Sequence, residues 1–209
     1  MNSFREGFES AGGKVIREYD VIFPRMEFVS YLKQIETLKP DMVFAFFAGE
    51  AASKLIQDYH NAGLDKTIPL YGTGTLSESL SAAAIKVGQG LLTTMHYGDG
   101  LNTPRDNAFR EAYIAMYHTQ PNVYAVQGYD TAQLMERGLK SINGDISEKQ
   151  AFRNAMHNAS IDSPRGSFTL SSTGNPIQTI YLRQVQGAEN RVIGIASEHL
   201  ATPTRSCTQ

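Results

Sequence analysis

Small, aromatic and hydroxyl-bearing residues follow two apolar segments of the sequence, at points where we expect strands to end. The first group is Phe47, Ala48, Gly49 and Glu50, and the second group is Gly72, Thr73, Gly74 and Thr75. Glycine lets the backbone approach a bound molecule, hydroxyl and amide groups donate hydrogen bonds, and aromatic rings stack. With Tyr97, which closes a third apolar segment, these groups predict a site for a small organic molecule. Phe46 and Phe47 are equally compatible with a place in the core, and as strand neighbours they point to opposite faces.

The residues that usually carry catalysis or bind metals form no recognisable pattern. None of the five histidines lies three or four residues from another histidine or from the single cysteine, Cys207, which excludes the usual metal-ligand spacing. No serine stands in a GxSxG turn. Gly72 and Gly74 lack the third glycine of a dinucleotide fingerprint, because Ser77 stands there. Only His96, at the end of a predicted strand, is a candidate for ligand contact. We therefore predict a binding protein without cofactor or metal, not an enzyme.

The composition is typical of a globular protein without a nucleic-acid partner. Among 209 residues, 19 lysines and arginines nearly balance 21 aspartates and glutamates, and the net charge is −2. A nucleic-acid or anionic-membrane partner would require a basic excess or stripe. A single cysteine excludes a disulfide framework, and no apolar run reaches the ~18 residues of a membrane helix. The first ten residues, MNSFREGFES, lack the pattern of an export signal, so we expect none to be encoded here.

The first hundred residues alternate between the helical and the strand period. Helices are predicted at 4–11, 26–39, 50–61 and 80–87, and strands at 14–23, 41–47, 68–71 and 91–97. The segment 41–47 is apolar from Met42 onwards, which predicts a strand buried on both faces. The segment 14–23 alternates, which predicts a strand near a sheet edge. Strands that alternate with helices of this length predict a parallel α/β sheet covered by helices.

The second half of the sequence changes character twice. Thr103 and Pro104 predict the start of a helix over 104–117, and helical periodicity also covers 123–142 and 147–158. Ser147 and Gln150 have the spacing of a capping box. The following segments are rich in β-forming residues and are separated by glycine-containing turns, which predicts antiparallel strands. These segments are 166–170, 177–185 and 191–196. We expect the tail from Ala201 onwards to lack regular structure.

Several ordered motifs resemble those of one protein family. They are Gly7-Phe8 with Ala11-Gly12-Gly13-Lys14-Val15, Lys39-Pro40-Asp41, Ala62-Gly63-Leu64, Ile68-Pro69-Leu70-Tyr71-Gly72, Gly128-Tyr129-Asp130-Thr131-Ala132, Asp162-Ser163-Pro164-Arg165-Gly166 and Ile180-Tyr181-Leu182-Arg183. Together they span most of residues 4–186. The sequence resembles the type I periplasmic solute-binding proteins of ABC transporters, the leucine/isoleucine/valine-binding family.

The resemblance implies a type I periplasmic-binding-protein-like α/β fold, with two lobes joined by three crossing strands. By this analogy, 1–98 forms most of the second lobe, 99–165 a helical part of the first lobe, 166–200 a β-rich return, and 201–209 a flexible tail. Proteins of this family trap a small solute between their lobes and deliver it to a membrane ABC permease. They catalyse nothing and are periplasmic. The resemblance places the solute contacts on the strand ends that match residues 46–50 and 72–75. Of the first stretch we choose residues 47–50, and we add Tyr97 as an aromatic wall.

Two departures from the family pattern refine these expectations. Amino-acid binders of this family place an acidic residue after the second of these two strands, where it pairs with the ammonium of the ligand, whereas residues 72–75 contain none. The Phe-Phe-Ala-Gly and Tyr-Gly-Thr-Gly stretches look more like the branch that binds aromatic carboxylates. Most of the first lobe is also missing from this sequence. We therefore expect a C-terminal portion whose helices over 104–142 expose apolar residues and allow self-association.

The sequence is also compatible with two other functional interpretations. The same fold serves as the effector-binding domain of cytoplasmic transcription regulators and amide sensors, and the lack of an export signal favours that alternative. The lack of a helix-turn-helix segment and of a basic patch counts against it. The other reading is a truncated remnant without function.

Overall fold

The computed structural model describes residues 2–22 and 26–201. The chain divides into two compact units: the first comprises Met1–Thr93 and Gln184–Asn190, and the second Thr94–Arg183 and Arg191–Gln209. The boundaries between the units fall inside the strands Leu92–Met95, Pro176–Gln186 and Glu189–Leu200. These described strands therefore continue from one unit into the other.

The first unit is a short parallel sheet with helices packed against it. Its elements are α1 (Asn2–Ser10), α2 (Val29–Leu38), β1 (Val43–Ala45), α3 (Gly49–Asn61), β2 (Leu70–Thr73), α4 (Ala82–Val87) and the beginning of β3 (Leu92–Met95). β1 and β2 pair in parallel with Ala45 opposite Gly72, and the strand order continues through β3 to β5 (Pro176–Gln186). Apolar residues of α2 and α3, among them Leu32 and Ile56, form a core with the strands. The predicted parallel α/β sheet is confirmed.

The second unit combines helices with antiparallel strands. Its elements are α5 (Pro104–Tyr117), α6 (Val123–Ser141), α7 (Lys149–His157), β4 (Thr169–Leu170), most of β5, and β6 (Glu189–Leu200). β4 pairs with β5 in antiparallel fashion, and β6 pairs with β5 as well. The predicted antiparallel β segment near the C-terminus is therefore confirmed.

Side chains determine where α5 and α6 begin. Thr103 Oγ1 accepts a hydrogen bond of 3.1 Å from the backbone N–H of Asp106, and Pro104 occupies the first turn, as predicted. Asn122 Oδ1 accepts bonds of 3.1 Å from two backbone N–H groups in the first turn of α6. These caps satisfy N–H groups that have no partner inside a helix.

The predicted capping box at Ser147 and Gln150 is wrong. The hydroxyl of Ser147 donates a hydrogen bond of 2.7 Å to Asp145 Oδ1, which also accepts from the Ser147 N–H. α7 begins only at Lys149, and no side chain caps it. The carboxylate of Asp145 competes successfully because it stands two residues earlier, in the geometry of an Asx turn.

Two predicted strands differ from the structure. Residues 14–22 form no regular strand, and residue 23 lies outside the described residues. An extended segment becomes a strand only when a neighbour pairs with its backbone, and β1 is the last strand on its side of the described sheet. The strand expected over 41–47 is limited to Val43–Ala45. It is not fully buried, because Val43 and Phe44 are only partly buried, and Phe46, directly after it, is 63% exposed.

The apolar stripe predicted on α5 and α6 is buried only in part. Phe109 and Leu134 contribute to two small cores of the second unit. Met116, Met135 and Leu139 are exposed. Self-association through these exposed residues stays a prediction.

Two glycines of α6 should respond in opposite ways when each is replaced by alanine, because their surroundings differ. A Cβ on Gly138 would lie 2.5 Å from the ring of Phe152 in α7, whereas a Cβ on Gly128 would meet nothing within 4 Å. We expect Gly128→Ala to raise the free energy of unfolding by roughly 0.5–1 kcal/mol, because alanine restricts the unfolded chain. Gly138→Ala should lower it by about 1–3 kcal/mol, because α7 is forced away from α6. Urea unfolding followed by circular dichroism measures both changes, and effects of the same sign would contradict this packing.

Candidate functional site

The two predicted groups of site residues leave the sheet side by side. Because β1 and β2 are parallel neighbours with Ala45 opposite Gly72, the segments 46–50 and 73–75 begin at the same sheet edge. Gly72 is required there by packing: a Cβ would lie 2.4 Å from Cδ2 of Leu76 and 2.7 Å from the carbonyl oxygen of Ala45. The carboxyl ends of parallel strands are the usual place for a ligand in such sheets. The first unit thus brings eight of the nine predicted site residues to one edge.

The first segment leads directly into the N-terminus of α3. Ala48 is extended, and Gly49 begins the helix with a φ of +59° in open space. No side chain caps α3, so no side chain at the cap position accepts from its first backbone N–H groups. Glu50 lies in the first turn, where its negative charge is stabilised by the helix dipole. The positive end of this helix therefore already has an anionic side chain beside it.

The structure separates the two neighbouring phenylalanines. The ring of Phe47 packs edge-on against Phe28 in the core, with ring centroids 5.2 Å apart. Phe46 instead is 63% exposed at the sheet edge. The alternation of side chains along a strand predicts that the two residues face opposite ways, but it does not predict which one is exposed. Phe46 is therefore the aromatic ring that a solute can reach, and it replaces Phe47 in the candidate site.

The second segment presents two hydroxyl groups. Thr73 Oγ1 and Thr75 Oγ1 are 2.9 Å apart, and both residues are half-buried beside the buried Gly74. Their mutual hydrogen bond uses one of the two hydroxyl hydrogens, so the pair keeps one hydrogen to donate to an acceptor. A carboxylate oxygen is a suitable acceptor, because hydrogen bonds to charged groups are stronger than neutral ones.

A buried carboxylate that no sequence motif indicates follows the second segment. Glu78 is 5% exposed, and its Oε1 lies 3.5 Å from Nδ2 of Asn190. No periodicity could indicate this contact, because the two residues are 112 positions apart. The acid nearest to Thr75 in sequence is thus turned into the protein.

Tyr97 is not part of this edge. It is 1% exposed and packs with Phe109 in a core of the second unit. Its hydroxyl donates to Asp106 Oδ1 (2.9 Å) and accepts from Arg110 Nη1 (3.1 Å). Burial, followed by the charge of Asp106, raises the pKa of Tyr97. Because the ring is packed in this core and the hydroxyl makes two hydrogen bonds within the protein, we leave Tyr97 out of the candidate site.

His96 is also a core residue. It is 8% exposed, and its Nε2 lies 3.4 Å from Nε2 of Gln127. Burial, and then the positive charges of Arg165 and Arg183, lower the pKa of His96 to about 4. The ring is therefore neutral at pH 7. Among the described residues, no group of three or more His, Cys, Asp and Glu side chains is placed to hold a metal ion.

A buried ion pair explains two of the sequence motifs. Arg165 Nε lies 2.7 Å from Asp130 Oδ2, and both side chains are 5% exposed. The guanidinium also lies over the ring of Phe168 at 4.1 Å and hydrogen-bonds to Gln178. Tyr181 donates to the carbonyl oxygen of Arg165 at 2.8 Å. The motifs around Asp130 and Arg165 therefore join α6 to the strands of the second unit, which is a structural role.

The sequence model of the periplasmic binding protein family matches residues 1–190. The chain belongs to this family. A curated relative is Leu/Ile/Val-binding protein homolog 6 of Brucella abortus, which is 26% identical over 195 residues. That alignment covers 90% of this chain and 50% of the relative, so the chain spans about half the length of the curated relatives it matches.

Solved structures of periplasmic binding proteins agree with the fold. A solute-binding protein of an ABC transporter from R. palustris, solved in complex with benzoate, is 39% identical. It superimposes with a TM-score of 0.92 over 100% of this chain and 57% of its own. Another solute-binding protein, from Rhodopseudomonas palustris BisB5 and in complex with 3,4-dihydroxybenzoic acid, is 25% identical. It superimposes with a TM-score of 0.81 over 96% of this chain and 56% of its own. The resemblance read from the sequence motifs is therefore confirmed.

The family assignment sets the functional class at a coarse level. Members of this family are periplasmic solute-binding proteins of ABC transporters, which agrees with the prediction of a binding protein. None of the helices in the described part of the chain has the length and apolar character needed to cross a bilayer.

Proposed function

We propose that this chain binds an aromatic carboxylate as part of the periplasmic substrate-binding component of an ABC transporter, which passes the solute to a membrane permease. The observation that carries the proposal is the exposed sheet edge of the first unit, where Phe46 and the Thr73–Thr75 hydroxyl pair follow neighbouring strands. The R. palustris protein that is 39% identical over the whole chain is solved with benzoate, which supports an aromatic acid.

Each part of the edge has a role in this proposal. The carboxylate accepts a hydrogen bond from the Thr73–Thr75 pair, and the ring stacks on Phe46. The carboxylate points away from the N-terminus of α3, because Glu50 already stands in its first turn and two like charges repel. Gly49, where a Cβ would meet nothing within 4 Å, leaves room for the solute and lets the backbone approach it, whereas Gly72 lets Leu76 pack closely beneath the turn. The proposed site comprises Phe46, Ala48, Gly49, Glu50, Gly72, Thr73, Gly74 and Thr75.

An amino-acid ligand fits this edge less well. A buried ammonium needs a carboxylate partner, and losing that partner costs several kcal/mol. The segment 72–75 has no acid, and Glu78 is 5% exposed and held by Asn190. Glu50 remains, but it is exposed in the first turn of α3, where the helix dipole already stabilises its charge. The site therefore favours an anionic solute without an amino group.

We expect Thr73→Val to weaken the binding of benzoate by roughly ten- to a hundredfold, because one hydrogen bond to a charged acceptor is worth about 1.5–3 kcal/mol. Valine keeps the branched shape of threonine and removes only the hydroxyl. The measurement is a titration of the isotope-labelled chain with benzoate, followed in amide NMR spectra, which detects even millimolar affinity. In the wild type, the amide signals of Gly72–Thr75 should shift.

A matched control removes a hydroxyl elsewhere in the first unit. Thr37 Oγ1 donates only to the backbone of its own helix, at Lys33 O, 2.9 Å away, so Thr37→Val should leave the affinity for benzoate unchanged. Leucine serves as the competing solute class. Tighter binding of leucine than of benzoate, or an unchanged affinity in Thr73→Val, would refute the proposed site.

A further inference from the structure

A buried hydrogen-bond network lies directly behind the Thr73–Thr75 turn. Ser77, which ends the turn, donates through its hydroxyl to Gly74 O at 3.3 Å, and its backbone N–H donates to the same oxygen at 3.1 Å. Ser77 Oγ also lies 3.0 Å from Thr93 Oγ1. Either hydroxyl can donate across this contact, which joins the turn to Thr93.

The same turn is held from a second side. Asn190 Nδ2 donates to Ser77 O at 3.0 Å and approaches Glu78 Oε1 at 3.5 Å. Ser77, Glu78 and Thr93 are between 2% and 5% exposed. The turn is thus tied to β3 through Thr93 and to the start of β6 through Asn190, and all of these residues belong to the first unit.

We propose that Thr93 and Asn190 are positioning residues, which hold the Thr73–Thr75 turn in the geometry that binds the solute. This inference rests on the function proposed above. Neither residue is part of the exposed edge, and each acts through Ser77. Their positions, 16 and 113 residues from Ser77 along the chain, make their role invisible to any local sequence pattern.

The physical basis is the cost of leaving buried polar groups without a partner. Ser77 and Thr93 are almost fully buried, so a turn that moved Ser77 away from Thr93 would break the hydrogen bond between their hydroxyls at a place that water does not reach. The network therefore favours a single arrangement of the turn before any solute arrives. A turn that is already ordered loses less conformational entropy on binding, which strengthens affinity without adding a contact.

The test uses Thr93→Val, which keeps the shape of the side chain and removes the hydroxyl, and Thr93→Ser, which restores it. In the free chain, the amide hydrogen of Ser77 should exchange about fivefold faster or more in Thr93→Val than in the wild type. The benzoate dissociation constant should rise by about tenfold, and Thr93→Ser should return both values to within about twofold of the wild type. Asn190→Asp, which removes the amide donor, should act in the same direction as Thr93→Val.

The control is Tyr59→Phe, which removes another buried hydrogen bond of the first unit. Tyr59 donates to Ile68 O at 3.0 Å, before β2 begins and away from the turn. This variant should be less stable than the wild type. The ratio of the Ser77 amide exchange rate to the exchange rates of amides in the core should stay the same, and so should the affinity for benzoate. Unchanged Ser77 exchange in Thr93→Val would overturn the positioning role. Absence of benzoate binding by the wild type would instead refute the proposed function, and the exchange measurement in the free chain would still decide the positioning role.

Discussion

Replacing Arg165 by methionine is expected to lower the free energy of unfolding by about 3–5 kcal/mol, because the substitution leaves a buried carboxylate without its cation. Arg165 and Asp130 are 2.7 Å apart and both side chains are 5% exposed. The other carboxylate oxygen of Asp130 is already buried without a hydrogen-bond partner among the described residues. Urea unfolding at pH 7 measures the change.

The double variant Asp130→Leu, Arg165→Met separates the charge from the packing. With both charges removed, no uncompensated ion is buried, so the double variant should be clearly more stable than Arg165→Met alone. Lys140→Met is the surface control. Its partner Glu136 is 59% exposed, and solvent screens this pair, so the urea midpoint should stay unchanged. A double variant as unstable as the single one would show that packing around Arg165, not its charge, stabilises the second unit.

The secondary structure was largely predictable because each element carries its own signal. Thr103 with Pro104 predicted the start of α5, and the structure confirms that start to the residue. Predictions failed where a second segment decides the outcome. The alternating pattern of residues 14–22 satisfies the local condition for a strand, yet the described structure provides no neighbour to pair with it. At Ser147, a nearby carboxylate took the hydroxyl that a capping box needs.

The candidate site was predictable in its location but not in its details. Glycines and hydroxyls after two strands indicated the edge, because parallel strands end together. The choice between Phe46 and Phe47 depends on which ring meets Phe28, a residue on another element. Tyr97 was chosen for its aromatic ring, and only the structure shows that Asp106 and Arg110 occupy its hydroxyl. Contacts between residues far apart in sequence therefore account for what the sequence left open.

The stability of the chain should fall with decreasing pH below about 6.5, in part because of His96. Burial and two arginines lower the pKa of His96 to about 4 in the folded protein, whereas an unfolded histidine titrates near 6.5. Between these values the unfolded state binds more protons than the folded state, so acid favours unfolding. Above about pH 6.5 His96 is neutral in both states and does not reduce the free energy of unfolding. Its protonation in the unfolded state lowers that free energy by about 2 kcal/mol at pH 5 and by about 3 kcal/mol at pH 4.

The variant His96→Gln isolates this contribution from that of other titrating groups. Glutamine is neutral throughout, so the difference in free energy of unfolding between wild type and variant should shift by about 2 kcal/mol between pH 7 and pH 5, in favour of the variant. A pH-independent difference would show that His96 titrates normally. The charges of Arg165 and Arg183 contribute to the shift. The double variant Asp130→Leu, Arg165→Met removes one of them, so NMR titration should show a higher pKa for His96 there than in the wild type. Arg165, which joins α6 to the strands through Asp130, thus also helps to keep His96 neutral.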